Sequence, residues 1–146
     1  MKRILFLVLF FPLVLIGCNN DDDDDEKSPI IGTWEMISAT VSDISVTDDI
    51  IESTIKATVS NYQSDKFVFN KSGKFSYYEN NELDWDGNYT FSGNNLTLAD
   101  EDYTEIYTIT LSDNSMNLVY NMTETFKLLY GNKVEKVIVT YSYARL

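Results

Sequence analysis

Asp84-Trp85-Asp86-Gly87-Asn88-Tyr89-Thr90-Phe91-Ser92-Gly93-Asn94-Asn95-Leu96-Thr97-Leu98 is the stretch from which the fold can be read. Trp85, Gly87, Tyr89 and Phe91 alternate with Asp84, Asp86, Asn88 and Thr90. That period of two belongs to a strand with one buried and one wet face. Gly93-Asn94-Asn95 supplies residues suited to a turn, and Leu96-Thr97-Leu98 resumes as a short strand. The flanking segments repeat this strand–turn–strand unit. Upstream, Lys66 to Phe69 ends at Asn70-Lys71-Ser72-Gly73, and Phe75, Tyr77 and Glu79 alternate before a turn at Asn80-Asn81-Glu82. Downstream, Ala99 to Asp102 turns into Thr104 to Leu111, where Tyr107, Ile109 and Leu111 alternate, and Ser112 to Ser115 turns again.

Ile31 to Val41 reads as the first strand, with Trp34, Met36, Ser38 and Thr40 on one face and Thr33, Glu35, Ile37, Ala39 and Val41 on the other. Both faces are mixed, so neither is marked as core. Asp49 to about Asn61 is a helix: Ile51, Ile55, Val59 and Tyr62 form one apolar stripe, and Asp49 with Glu52 has the spacing of a capping box. At the other end, Met116, Leu118, Tyr120, Met122, Phe126, Leu128 and Tyr130 keep one parity, broken at Glu124. They predict a long strand, a two-residue turn at Gly131-Asn132, and a last strand with Val137, Val139, Tyr141, Tyr143 and Arg145 on one face. That turn pairs 126 with 137, 122 with 141 and 120 with 143. The alternative splits Met116 to Tyr130 into two strands at Thr123-Glu124-Thr125. Eight strands with short connections predict an all-β, eight-stranded antiparallel up-and-down β-barrel with one short helix after the first strand. Closing such a meander pairs its first and last strands, bringing Gly32 and Trp34 beside Arg145.

Composition narrows the chemistry. The chain has 146 residues and a net charge of −12, which argues against nucleic acid as a partner. It has no His, and its one Cys is Cys18, so zinc–Cys/His sites, Ser-His-Asp triads and disulfides are excluded. No cofactor or metal is implied. Asp84-Trp85-Asp86-Gly87-Asn88 lacks the Gly and Glu positions of an EF-hand loop. Asp100-Glu101-Asp102 falls in a turn, where water keeps carboxylates ordinary. A hydrolase using such carboxylates therefore ranks last, and the expectation is a non-enzyme. The aromatic residues Phe67, Phe69, Tyr77, Trp85, Tyr89, Tyr107, Tyr120, Tyr141 and Tyr143 are candidates for the inner face, where they either fill the barrel or wall a ligand cavity.

The first 29 residues have a different character. Lys2 and Arg3 precede an apolar run from Ile4 to Ile16 that is shorter than the roughly 20 residues a spanning helix needs and contains Pro12. It ends at Leu15-Ile16-Gly17-Cys18, which resembles the lipobox of bacterial lipoprotein signal peptides. The resemblance implies residues 1–17 as a signal peptide, cleavage before Cys18, and acylation of Cys18 as the contact with the membrane. Residues 18–29, with Asp21 to Glu26, read as an extended acidic tether, since like charges without apolar residues cannot collapse. Acidic runs placed there resemble a surface-export signal of some Gram-negative lipoproteins. The expected location is thus the bacterial outer membrane, lipid-anchored, with surface exposure implied by that second resemblance.

For residues 30–146, Ile31-Gly32-Thr33-Trp34-Glu35-Met36-Ile37-Ser38 resembles the Gly-x-Trp opening of lipocalins and other calycins. Asp86 to Leu98 is similar to a hairpin frequent in bacterial lipocalin-like lipoproteins. An early helix is more like the lid of fatty-acid-binding calycins. The resemblance implies a binding protein for a small apolar or amphipathic ligand, with Arg145 stacked on Trp34 as a barrel-closing pair. An Arg that binds a ligand carboxylate, as in fatty-acid-binding proteins, is the rival use. The alternative function is a filled-barrel interaction protein of a cell-surface complex, its protein partner unidentified. Cys18→Ser should release the protein from the membrane fraction, because two or three acyl chains anchor at about 0.8 kcal/mol per buried CH₂. A Ser variant that stays in the membrane fraction, beside a wild type without lipid on mass spectrometry, would contradict the lipobox reading.

Overall fold

The computed structural model describes residues 28–62 and 65–146. Cys18, the signal segment and the acidic run of the tether lie outside the described residues. Eight strands follow one another around a closed antiparallel barrel. They are β1 Gly32–Val46, β2 Lys66–Phe69, β3 Lys74–Glu79, β4 Glu82–Ser92, β5 Asn95–Ala99, β6 Thr104–Leu111, β7 Ser115–Asn121 and β8 Val134–Arg145. Helix α1, Asp49–Ser60, follows β1 as the sequence predicts. The hairpins obey local turn chemistry. Asn80 and Asn81 take φ of 51° and 67°, the left-handed conformation that a tight two-residue turn between Glu79 and Glu82 requires. Gly87 is needed for a different reason: a Cβ there would lie 2.2 Å from the carbonyl oxygen of Ala99 on the neighbouring strand.

β1 is longer than its sequence pattern indicates, and its mixed faces have a physical cause. Its pairing with β8 shifts register between Met36 and Ser38, between Val41 and Asp43, and between Ser45 and Val46. The first two insert an extra residue in β1, Ile37 and Ser42, so the inward set passes from Trp34 and Met36 to Ala39 and Val41, then to Ile44 and Val46; the third places its extra residue, Glu135, in β8. No single parity could describe such a strand.

The second half of the predicted long strand is a helix. α2 spans Thr123–Tyr130, and a 3₁₀ turn over Gly131–Lys133 leads into β8. Met122, Phe126 and Tyr130 are four apart, a spacing that satisfies a period of two and a helical face equally. Leu128 separates the two. Strand parity would bury it, whereas the helix turns it to solvent, where it is 89 % exposed. The break proposed at Thr123-Glu124-Thr125 is real, but it divides a strand from a helix. Thr123 anchors the junction: its Oγ1 accepts from the Val137 amide at 2.9 Å, and its own amide donates to Asn121 Oδ1 at 3.0 Å.

The predicted register across Gly131-Asn132 is accordingly corrected. Tyr120 pairs with Val139, Leu118 with Tyr141 and Met116 with Tyr143. The displacement is four residues, an even number, so the inward face of β8 is unchanged. The cap of α1 also moves by one. Asp48 is extended and its carboxylate accepts from the Ile50 and Ile51 amides, while Lys133 binds its other oxygen at 2.9 Å. These donors hold the Asp48 carboxyl below its ordinary value, the Lys133 hydrogen bond foremost.

Two clusters make up the core. One fills the barrel from the end where Trp34 lies: Ile30, Trp34, Phe67, Phe69, Phe75, Leu96, Leu98, Met116 and Leu118 are buried in it. The other lies beneath the helices, where Ile55 and Val59 of α1 and Phe126 of α2 cover Ala39, Val134, Val137 and Val139. Met36, Tyr120 and Tyr141 touch both.

Trp34 pairs with Arg145 in the ladder that closes the barrel. The guanidinium carbon stands 4.4 Å from the indole centroid, and the Trp34 indole N–H donates to Ile30 O at 2.8 Å. Arg145 also donates to Ile31 O at 3.3 Å and to Pro29 O, binding the segment that leads into β1. Gly32, with φ of 144°, lets the chain turn into the strand beneath that guanidinium. Arg145→Ala should lower stability by about 2–4 kcal/mol, combining a cation–π contact with charged hydrogen bonds. Arg145→Lys should recover less than half of it, since Lys keeps the charge and loses the planar stack. A denaturant melt in which the Ala variant matches wild type would remove this closure.

Candidate functional site

In an antiparallel meander, alternate turns lie at the same end. Turns β2–β3, β4–β5 and β6–β7 share the end at which Trp34 and Arg145 meet. The opposite end carries turns β3–β4 and β5–β6 and the passages through α1 and α2. A cavity of about 400 Å³ opens there. Its walls are Met36 from β1, Tyr62 and Asp65 on the approach to β2, Phe67 from β2, Tyr77 from β3, Asp84 and Trp85 from β4, Asp100 and Tyr103 from the β5–β6 turn, Glu105 and Tyr107 from β6, and Tyr141 and Tyr143 from β8.

Of the aromatic residues predicted to face inward, Phe67, Tyr77, Trp85, Tyr107, Tyr141 and Tyr143 line this cavity. Phe69, Tyr89 and Tyr120 do not. Phe69 is buried against Phe67, centroids 5.5 Å apart, and Tyr89 packs edge-on to Phe69 at 5.0 Å with its hydroxyl donating to Asn70 O. Tyr120 packs on both core clusters, its ring centroid 5.0 Å from that of Tyr107. Gly32, Trp34 and Arg145 sit at the far end. Arg145 is absent from the lining, so the geometry offers no contact between it and a carboxylate in the cavity.

The sequence reading missed the polar half of the lining. Asp65 and Phe67 share a parity, as do Glu105 and Tyr107. Extending the inward pattern by two residues towards the mouth would have found both acids. Asp84 had no such signal. Tyr77 pairs with Trp85 and Tyr78 with Leu83, which leaves Asp84 as the extra residue of a bulge. The sequence places Asp100 in a solvated turn. It does organise that turn, accepting on Oδ1 from the Asp102 and Tyr103 amides at 2.8 and 2.7 Å. Its Oδ2 takes the Trp85 indole N–H at 2.6 Å, fixing the ring at the mouth. The backbone donors foremost, with the indole, hold the Asp100 carboxyl below its usual range.

Phenols and carboxylates are coupled around the cavity. The Tyr77 hydroxyl donates to Asp65 Oδ2 at 2.7 Å, and the Tyr103 hydroxyl to Glu105 Oε1 at 3.0 Å. Tyr107 donates to the other oxygen of Glu105. Burial first, and these acid partners second, push the Tyr77 and Tyr107 hydroxyls far above the ordinary phenol value, so both remain donors at any physiological pH. Asp65 is 4 % exposed, and its carboxyl is pushed upward by burial, against the lowering hydrogen bond from Tyr77. No group of three His, Cys, Asp or Glu among the described residues is arranged to hold a metal ion.

A closed eight-stranded barrel with one plugged end and one open, aromatic-walled end is the architecture of a small-ligand binder. The family model for the lipocalin-like domain matches residues 30–118, and the chain belongs to that family. No curated protein and no solved structure matches it.

The raised Asp65 carboxyl has a consequence for stability. The folded chain holds this proton more tightly than the unfolded chain. The associated stability is therefore fully present below the unfolded value near pH ~4 and is lost as pH rises through the folded value. Asp65→Asn should melt at a temperature less dependent on pH between about pH 4 and 7. It should be at least as stable as wild type at the upper end. Parallel pH profiles for the two proteins would show that Asp65 carries no burial cost.

Proposed function

We propose that this protein is a non-enzymatic binding lipoprotein: a lipocalin-like barrel, held on the outer membrane through lipid at Cys18, that carries a small amphipathic ligand in its open end. The observation that supports this most directly is the division of the barrel. Below Phe67 the interior is filled by packed apolar side chains, whereas above it about 400 Å³ stays open between aromatic walls and a polar mouth. A volume of that order suits one small organic molecule. The aromatic faces offer contact to an apolar body, and the phenols and carboxylates at the mouth offer hydrogen bonds to a polar end.

Placement at the membrane fits this role. The like charges from Asp21 to Glu26 would hold the barrel away from an anionic surface, leaving the mouth free for exchange of ligand. Asp65, Asp100 and Glu105 are engaged by phenols, an indole or backbone amides, and the Tyr77 and Tyr107 hydroxyls are pushed far above the ordinary phenol value rather than activated, which supports binding rather than turnover. Mass spectrometry of an organic extract of the purified protein tests the reading. The expected result is a co-purifying small molecule, present at up to one equivalent and absent from a variant with Tyr143→Trp filling the cavity. An extract with only membrane lipid, together with a stable protein partner in pull-downs, would replace this reading by the interaction protein with a filled barrel.

A further inference from the structure

Building on that reading of the cavity, we infer that its ligand is a cation: an organic amine whose apolar, ring-bearing body lies on the aromatic walls and whose ammonium group meets the carboxylates at the mouth. The first ground is charge. Asp65, Asp84, Asp100 and Glu105 line one cavity, and among the described residues its lining contains no Lys or Arg. The second ground is independent of their number. Asp65 is almost wholly buried, and among the described residues the partner of its carboxylate is the neutral hydroxyl of Tyr77. A buried carboxylate with no neutralising cation is costly, and proteins ordinarily pair such groups. Here the open side of the pair faces the cavity.

None of the eight bases of the barrel domain lines the cavity, and Lys71 and Lys74 stand at the β2–β3 turn, at the far end. Lys56, Lys127, Lys133 and Lys136 form ion pairs with Glu52, Glu124, Asp48 and Asp43 on the outside. Lys66 lies over the Tyr78 ring, and Arg145 over Trp34 at the far end. The missing positive charge is therefore one that a ligand can bring. A metal ion is the poorer candidate, since the carboxylates are not gathered into a chelating set. They are spread around a space walled by Trp85, Tyr103, Tyr141 and Phe67, and ring faces attract ammonium groups by cation–π contact. The same field repels a fatty acid or other anionic amphiphile.

The test uses one ring system with three head groups: 1-naphthylmethylamine, 1-naphthylmethanol and 1-naphthoate. Each is titrated into the full-length protein in zwitterionic lipid nanodiscs, with empty nanodiscs as the blank. Binding is read by calorimetry and by quenching of indole fluorescence. The amine should bind at least about tenfold more tightly than the alcohol, and the carboxylate more weakly than either, for charges meeting at the partly screened mouth. Asp84→Asn should narrow the gap between amine and alcohol. If that variant does not fold, the wild type serves through salt: raising ionic strength should weaken the amine and spare the alcohol. Alcohol or naphthoate binding as tightly as the amine would overturn the charge selection and leave the binding cavity standing. Binding of none of the three would overturn both.

Discussion

Everything in this molecule hangs on the seam between β1 and β8. An eight-stranded sheet has two edges, and only their pairing turns an open, association-prone sheet into a barrel with an inside. The seam runs from Trp34 opposite Arg145 to Val46 opposite Val134, longer than any other strand pairing in the fold. Its length has two effects. Within the barrel it brings Met36, Tyr141 and Tyr143 to the cavity wall. Past Glu35, where β1 leaves β2, it continues as a ribbon whose apolar face, Ala39, Val137 and Val139 among others, must be covered. The two helices supply that cover, and each enters or leaves the seam directly: α1 follows β1, and α2 precedes β8.

A seam this long cannot stay straight. Strands of a small barrel coil strongly, and bulges are the way a ladder absorbs the extra twist. The register shifts along β1 do this and also re-aim its side chains, so that one strand serves the plugged end, the cavity and the helix-covered ribbon in turn. The bulge at Asp84 acts in the same way on the opposite wall. There an acid displaced from the outer set lines the mouth beside Trp85.

How far the chain was legible follows from this geometry. Where strands are regular, as in β2, β5, β6 and β4 from Trp85 onward, alternation alone identifies the inward residues, and the hairpins and the number of strands follow. Legibility fails at two kinds of place. A bulge removes the parity on which the reading depends, which hid both the extent of β1 and the role of Asp84. A four-residue spacing is degenerate between strand and helix, which hid α2. Glu124 was the one contrary residue in the sequence, and it does not outweigh seven residues of one parity; Leu128, apolar and exposed on the helix, itself fits the strand pattern. The carboxylates of the site were obscured for another reason. Acids are assigned to solvent by default, and Asp65 and Glu105 depart from that default because the barrel has an open, incompletely filled end.

That open end and the plugged end are linked through charge. The barrel domain contains a single arginine, Arg145, and the fold uses it where a planar cation can stack on Trp34 and gather the carbonyls of Pro29 and Ile31. A lysine could not do the same, because its ammonium has no face to lay on the indole. Once Arg145 is held there, it stands at the opposite end of the barrel from Asp65, too far to neutralise that carboxylate. The lysines, with long stems and strongly hydrated heads, lie on the outer surface, where water and neighbouring acids satisfy them. The uncompensated acidity of the mouth is thus the counterpart of how the barrel is closed: the cation best able to enter a desolvated site is bound at the seam, and the cavity retains its negative field.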